Sequence, residues 1–139
     1  MGDQWSTRLF NDGQVLFRQG DAADGAYVVK RGKVRIYREG DGHETGLGVI
    51  GPGQMFGEMG LVDERPRSAS AAAVGEVEVE FIGKQELRAR VPDELIWTLL
   101  KDMGARLRAM DDAFQKLETE KSVKRDLAVS FSEHRAWFA

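Results

Sequence analysis

The 139-residue sequence contains no cysteine, only two histidines and no long apolar run. Without cysteine there is no disulfide framework and no thiolate metal site, which is typical of a reducing compartment. The N-terminus lacks the apolar core of a signal peptide, and no run approaches the roughly 18 apolar residues of a membrane span. These absences predict a soluble, cytoplasmic protein that does not associate with membranes.

The chain also lacks an excess of positive charge. Twenty Lys and Arg stand against 23 Asp and Glu, a formal net charge of −3, so no global field attracts nucleic acid. The basic cluster of Lys121, Lys124 and Arg125 is small, and residues 121–139 are too few for the about 60 residues of a helix-turn-helix domain. We therefore predict no DNA binding by this chain alone, and any anionic ligand must be bound by local groups.

Most of the first two thirds of the sequence has the pattern of short strands. From Gln14 onward the runs VLFRQG, AYVVK, VRIYRE, TGLGVI, SASAAAV and VEVEFI are separated by Gly, Asp or Pro. Val77, Val79 and Phe81 alternate with glutamates, which predicts a half-buried strand. Because nothing like a crossover helix separates these runs, we expect an antiparallel barrel or sandwich. Residues 1–11 are predicted to form a short helix or arm that docks on it.

Two helices are predicted after the strands. KQELRARV, residues 84–91, precedes Pro92, and Asp93 can cap a longer helix that runs to about residue 120. Apolar residues recur in this helix at heptad spacing: Ile96, Leu100, Met103, Leu107, Met110, Phe114 and Leu117. Such a stripe either packs on the protein's own strands or forms a homodimer with a second copy, and the sequence leaves both open.

A stretch from Phe56 to Ser70, FGEMGLVDERPRSAS, has the chemistry of a phosphate site. Gly57 and Gly60 allow the backbone to approach a ligand, and the turn between them can present free N–H groups to an anion. Glu58 can accept a hydrogen bond from a sugar hydroxyl, while Arg67 offers a planar fork of donors to phosphate oxygens. Taken alone, the same residues could form a charged surface loop.

The complete pattern resembles the phosphate-binding cassette of cyclic nucleotide-binding domains, the family of catabolite activator protein and the regulatory subunits of protein kinase A. FGE, Gly60, Leu61, Pro-Arg, Ser68 and Ala69 carry the resemblance. A second part is NDGQVLFRQGDAADGAYVVKRGKVRIYR, whose glycines at 13, 20, 25 and 32 are expected to form tight turns.

This resemblance covers about residues 10–120 and implies a mainly β fold with α-helices. The expected fold is an antiparallel β-roll, a double-stranded β-helix of jelly-roll type, at about 12–83. A short helix at about 84–91 and a long C-terminal helix at about 93–120 would follow. Residues 1–125 would form the domain, and 126–139 a C-terminal tail.

The resemblance further implies a sensor for cAMP, or for cGMP, with no cofactor and no metal. The implied ligand-binding residues are Phe56, Gly57, Glu58, Met59, Gly60, Leu61, Arg67, Ser68, Ala69, Arg106 and Met110. In this interpretation Arg67 pairs with the phosphate and Glu58 binds the ribose. The long helix acts as a lid, and Arg106 forms an ion pair with Glu58. Where a relative uses two hydroxyl residues on adenine, this sequence has Met110 and Asp111, so Asp111 either accepts from a guanine or is solvated.

Other function classes have less support in the sequence. Cupin-type metal chemistry needs clustered histidines, whereas His43 and His134 are far apart, so we predict that the chain is not an enzyme. A β-roll that serves only protein interaction or dimerisation would have no need of Glu58 and Arg67. The chain could also be the sensor part of a larger transcription factor, channel or kinase.

Overall fold

The structure is a computed structural model that describes residues 5–58, 60–61, 64–91 and 93–119, with side chains as far as residue 116. The elements in this part are β1 (Ser6–Phe10), β2 (Val15–Phe17), β3 (Gly25–Gly40), β4 (His43–Ile50), β5 (Met55–Phe56), β6 (Ser70–Gly83), α1 (Lys84–Ala89) and α2 (Glu94–Thr119). The predictions for Met59, for the basic cluster at 121–125 and for His134 lie outside the described residues.

All six strands join one antiparallel sheet, as predicted. The main path runs β1-β6-β3-β4, while β2 pairs with β6 and β5 pairs with β3. The long strands β3 and β6 each combine two of the predicted strands, so the chain needs fewer turns than expected. β1 pairs with β6 from Ser6 opposite Phe81 to Phe10 opposite Val77. Of the two alternatives predicted for the N-terminus, the docked arm therefore holds over these residues and the helix is wrong.

The glycines of the predicted turns have two different roles. Gly13 and Gly20 lie in turns with positive φ, as expected. Gly25 instead opens β3, where a Cβ would lie 2.3 Å from the ring of Phe81. Gly32 lies inside β3 with φ of 87°, beside shifts in the β3–β6 register. A Cβ there would meet the Glu76 carbonyl oxygen at 2.3 Å, so Gly32 permits a bulge that keeps one long strand continuous.

The main core cluster consists largely of buried side chains from β2 to β6. Val77, Val79 and Phe81 are buried, whereas the alternating glutamates are exposed or half-buried, which confirms the predicted alternation. Phe17, Phe56 and Phe81 surround Tyr27, whose ring stacks on Phe56 at 5.1 Å between centroids. Each fully buried aromatic ring contributes about 1.5–3 kcal/mol to stability.

The two helices follow the strands at nearly the predicted bounds. α1 ends at Ala89, and Asp93 caps α2 by accepting hydrogen bonds from the N–H groups of Leu95 (2.8 Å) and Ile96 (3.1 Å). The Arg88 guanidinium lies 4.6 Å from the centroid of the Trp97 ring and pairs with Glu94. Arg88 thus ties the short helix to the first turn of the long one.

The long helix presents a different face to the strands than the apolar stripe predicted. Its buried residues are Trp97, Gly104, Arg108, Asp111 and Phe114. Five members of the stripe are exposed by 36–57%: Ile96, Leu100, Met103, Leu107 and Met110. Packing of the stripe on the protein's own strands is therefore wrong for these five residues, whereas Phe114 is buried and the side chain of Leu117 lies outside the described part.

No helix in the described ranges combines the length and the apolar character that crossing a membrane requires.

Candidate functional site

The cassette begins where β5 ends. Phe56 is fully buried in the core, and the next residue, Gly57, has φ of 81°. A Cβ at Gly57 would lie 2.8 Å from Nη1 of Arg67, so both the backbone angle and the space require glycine. The N–H of Leu61 donates to the Glu58 carbonyl oxygen at 3.1 Å and closes the predicted turn.

Two further cassette residues anchor this turn to the body. Gly60 is buried against Ala23, whose Cβ would lie 2.6 Å from a Cβ at Gly60. Leu61 is fully buried with Ala26 and Ile82. The turn is therefore held in place by packing, independently of any ligand.

The side chain of Arg67 is buried beneath the turn. Its Nη1 donates to the Gly57 carbonyl oxygen, and its Nη2 donates to the Gly25 carbonyl oxygen at 2.7 Å and contacts Asp24 at 3.3 Å. The guanidinium lies 4.1 Å from the centroid of the Phe17 ring. Burial lowers the pKa of Arg67, whereas Tyr27 and Asp24 act to raise it. Its Nε is buried without a hydrogen-bond partner.

The carboxylate of Glu58 lies close to this guanidinium. Burial raises the pKa of Glu58 to about 7, although its own backbone N–H and the charge of Arg67 act in the opposite direction. Its Oε2 is buried and has no hydrogen-bond partner. A buried acceptor of this kind is costly unless a donor is supplied. The turn thus places an unpartnered acceptor and an unpartnered donor in one small site.

A third side chain, Arg38 on β3, was missed by the sequence analysis. Its Nε donates to the Ser68 carbonyl oxygen at 2.9 Å, and its Nη2 donates to Oδ2 of Asp111 at 2.7 Å. Its Nη1 is buried without a partner. A signal was available, because residues two apart on a strand share a face, and Arg38 follows the apolar Val34 and Ile36 at that spacing.

The remaining predicted site residues fall into two groups. Ser68, which follows Arg67, is half-buried, and Ala69 is fully buried. Arg106 on α2 is 80% exposed and pairs with Asp102 at 3.1 Å, so the expected ion pair with Glu58 is wrong. Met110 is half-exposed. The structure thus brings the cassette together but leaves Arg106 and Met110 on the outer side of the long helix.

Asp111 differs most from the sequence-based expectation. It is 1% exposed, so the interpretation of Asp111 as a solvated residue is wrong. The neighbouring Asp112 is exposed and pairs with Arg65 of the cassette loop at 3.7 Å. Two consecutive carboxylates of α2 therefore contact the body, one buried and one at the surface.

Metal-binding potential is low in the part of the chain that the structure describes. No group of three or more His, Asp or Glu residues there is arranged to hold a metal ion. His43, the first residue of β4, is exposed.

Comparison with known proteins agrees with the geometry of the cassette. The family model of the cyclic nucleotide-binding domain matches residues 7–91. The sequence is 42% identical over 85 residues to the cyclic AMP receptor protein of Thermus thermophilus, which is 60% of this chain and 39% of that protein. It is 39% identical over 77 residues to the type II regulatory subunit of cAMP-dependent protein kinase of Drosophila melanogaster, which is 55% of this chain and 20% of that protein.

A solved structure supports the same conclusion. The cAMP-bound form of the EAL enzyme Bd1971 has a TM-score of 0.67 and 36% sequence identity, and the match covers 83% of this chain and 32% of that chain. The chain thus spans less than half the length of each of these relatives. The sequence pattern, the antiparallel roll and the match over more than half of the chain show that it belongs to the family of cyclic nucleotide-binding domains.

Proposed function

We propose that this chain is a sensor module that binds a cyclic nucleotide, cAMP or cGMP, and couples its binding to the position of the long helix. One observation carries the proposal. Within the cassette, Oε2 of Glu58 and Nε of Arg67 are both buried without partners. A cyclic nucleotide supplies what each lacks, a hydroxyl donor for the carboxylate and an anionic oxygen for the guanidinium.

Each cassette residue then has a defined task. Arg67 binds the cyclic phosphate, and Glu58 accepts a hydrogen bond from the ribose hydroxyl. The N–H groups of the turn that begins at Gly57 face the anion, which the positive end of a helical turn favours. Ser68 and the backbone of Ala69 complete the phosphate contacts. Phe56, Gly60 and Leu61 shape the turn.

The long helix is the element through which binding is transmitted. Its carboxylate Asp111 contacts Arg38 on β3, and Asp112 contacts Arg65 in the cassette loop. A ligand that favours one position of the helix shifts the population toward that position. The exposed stripe of α2 supports a homodimer, because heptad spacing is self-complementary between two parallel helices. In a longer protein the same movement would reach an attached output domain.

Calorimetric titration of the nucleotide-free protein with cAMP and cGMP tests the proposal. We expect saturable binding of at least one of them at micromolar strength or better. Arg67→Ala should weaken it by roughly 2–5 kcal/mol, about 30-fold to several thousand-fold, because the bound anion loses its partner. Arg31→Ala is the matched control, since Arg31 is an arginine of the same roll whose side chain is 71% exposed.

Circular dichroism must first show that both variants are folded, because Arg67 is buried. Arg67→Lys, which retains a positive charge but not the planar fork, should be intermediate in affinity. Absence of heat with either nucleotide, or equal affinity in Arg67→Ala and the parent protein, would refute the proposal. In that case the exposed stripe of α2 would be the site to test for binding of a protein partner.

A further inference from the structure

Arg38 is a buried charge that the cassette turn does not require. It lies on β3 rather than in the segment Phe56–Ser70, and it is 9% exposed. Its guanidinium is held at two points, through Nε by the Ser68 carbonyl oxygen and through Nη2 by Asp111. The third nitrogen, Nη1, is buried without a partner. A donor fixed in this way, but left unpaired, indicates that a ligand atom completes the group.

The position of this donor suggests which ligand atom that is. Among the described residues the unpartnered buried side-chain atoms are Glu58 Oε2, Arg67 Nε and Arg38 Nη1. Arg38 donates to the carbonyl oxygen of Ser68, the residue after Arg67, so its guanidinium is held beside the end of the cassette. A cyclic nucleotide has three parts: a phosphate for Arg67, a ribose hydroxyl for Glu58, and a base. The base is the part that remains for Arg38.

We propose, on the basis of the function proposed above, that Arg38 and Asp111 together read the base and select adenine. Nη1 of Arg38 donates to N7 of the purine, and the carboxylate of Asp111 accepts from the 6-amino group beside it. Adenine presents this acceptor next to this donor, the pattern that Asn and Gln read with one amide. A carboxylate oxygen can accept more than one hydrogen bond, so the bond from Nη2 does not prevent Asp111 from accepting from the amino group.

The same pair disfavours guanine. Guanine has a carbonyl oxygen at position 6, which would face the carboxylate of Asp111 and be repelled by it. Without Asp111, an arginine could donate to both N7 and O6 of guanine and bind it well. Asp111 is therefore the residue that sets the preference. Because Arg38 lies on β3 and Asp111 on α2, the base would contact both elements, and base recognition would be coupled to the position of the helix.

The test compares three ligands on the nucleotide-free protein: cAMP, cGMP and the 7-deaza analogue of cAMP, which lacks only the N7 acceptor. We expect cAMP to bind about tenfold more tightly than the 7-deaza analogue, as for one hydrogen bond from a charged donor. We also expect cAMP to bind at least about tenfold more tightly than cGMP. The 7-deaza comparison needs no mutation, so it holds even where a variant fails to fold.

Two variants assign these preferences to the two residues. Arg38→Met should bind cAMP and its 7-deaza analogue equally, because the donor to N7 is gone. Asp111→Asn should reduce the preference of cAMP over cGMP toward unity, since the amide can turn its NH₂ group to O6 of guanine. Arg31→Met, an exposed position on the same strand, should leave all three affinities unchanged.

The outcomes separate this inference from the function on which it rests. If no cyclic nucleotide binds, the sensor function itself is refuted. Suppose that cAMP binds and Arg67→Ala abolishes binding, but the 7-deaza analogue binds as tightly as cAMP. The sensor function then stands, and only the inference that Arg38 reads the base is overturned. Tighter binding of cGMP than of cAMP by the parent protein would likewise overturn the selection of adenine.

Discussion

At the scale of single residues, the site consists of charged side chains that are held by backbone carbonyl groups. Arg67 donates to the carbonyl oxygens of Gly57 and Gly25, and Arg38 donates to that of Ser68. These bonds orient both guanidinium groups before a ligand binds. Binding therefore costs little additional side-chain entropy. The cost is that the ligand-free protein keeps buried polar atoms unpaired. Glu58 shows this cost most clearly.

We predict that Glu58→Gln stabilises the ligand-free protein above pH 7. Burial raises the pKa of Glu58 from 4.5 to about 7. The contribution of the neutral, buried carboxyl to the free energy of unfolding is therefore fully present below pH 4.5. It is lost progressively as the pH rises from 4.5 through 7, and above 7 the buried group is charged. The loss is about 3 kcal/mol at most, and glutamine, which does not titrate, avoids it.

Thermal unfolding of both proteins at pH 5 and pH 8 measures this effect. The stability advantage of the Glu58→Gln variant should be small at pH 5 and larger at pH 8, while its affinity for nucleotide falls because the ribose contact is weakened. Glu86→Gln, at an exposed position of α1, is the control and should show no such trend. A stability difference between Glu58→Gln and the parent that does not change with pH would contradict the prediction.

At the scale of elements, two ion pairs link the long helix to the body of the domain. Asp111 forms a buried pair with Arg38, and Asp112 forms an exposed pair with Arg65. The exposed pair contributes about 0–1 kcal/mol, whereas breaking the buried one costs about 3–5 kcal/mol. Meanwhile the apolar stripe of α2 faces away from these contacts. The two ion pairs thus join the helix to the body at Asp111 and Asp112, while five residues of its apolar stripe remain exposed.

We predict that Leu107→Glu prevents dimer formation. Leu107 is in the middle of the exposed stripe, and a two-fold symmetric interface would contain it twice. Loss of two buried leucines raises the dissociation constant about 100-fold or more, and placing two carboxylates together adds repulsion. Light scattering and sedimentation at tens of micromolar would measure the change.

Ala109→Glu is the matched control for this variant. Ala109 is also exposed on α2, and two residues along a helix correspond to a rotation of about 200°, away from the stripe. This variant should keep the oligomeric state of the parent protein. A parent protein that is monomeric at these concentrations, or a Leu107→Glu variant that remains dimeric, would show that the stripe does not bind a second copy.

At the scale of the whole molecule, one site joins segments that are far apart in sequence. Arg67 contacts Asp24 and Gly25 at the start of β3, while Arg38 at its end contacts both Ser68 and α2. The antiparallel pairing of β3 with β6 brings these segments together. A ligand in the cassette would therefore bind only the assembled fold, and its binding energy would add to the stability of the whole domain.

We predict that cAMP raises the melting temperature of the protein. At a free concentration 100 times the dissociation constant the added stability is about 2.7 kcal/mol, and for a domain of this size that corresponds to roughly 9 °C. Differential scanning fluorimetry over a series of cAMP concentrations would measure the shift. AMP, which has the same base and ribose but no cyclic phosphate, should give a smaller shift, and an equal shift with AMP would contradict the role of the cassette.

The sequence by itself determined the strand pattern, the cap at Asp93 and the cassette, because these depend on neighbours in the chain. Alternation, capping and the spacing of Glu58 and Arg67 are local properties that residue types reveal directly. The merging of short runs into β3 and β6 was not predictable in the same way. It depends on whether a glycine such as Gly32 turns the chain or permits a bulge, and the opposing strand decides this.

Only the tertiary structure decided which groups meet across the fold. Arg38 and Asp111 are 73 residues apart, and no local pattern links an arginine on a strand with an aspartate on a helix. The sequence predicted a pair between Glu58 and Arg106, but the rotation of α2 turns Arg106 outward toward Asp102 and turns Asp111 inward. The rotation of a helix about its axis decides which of its charges are buried together. Because that rotation depends on the packing of the whole surface, no local sequence pattern predicts it.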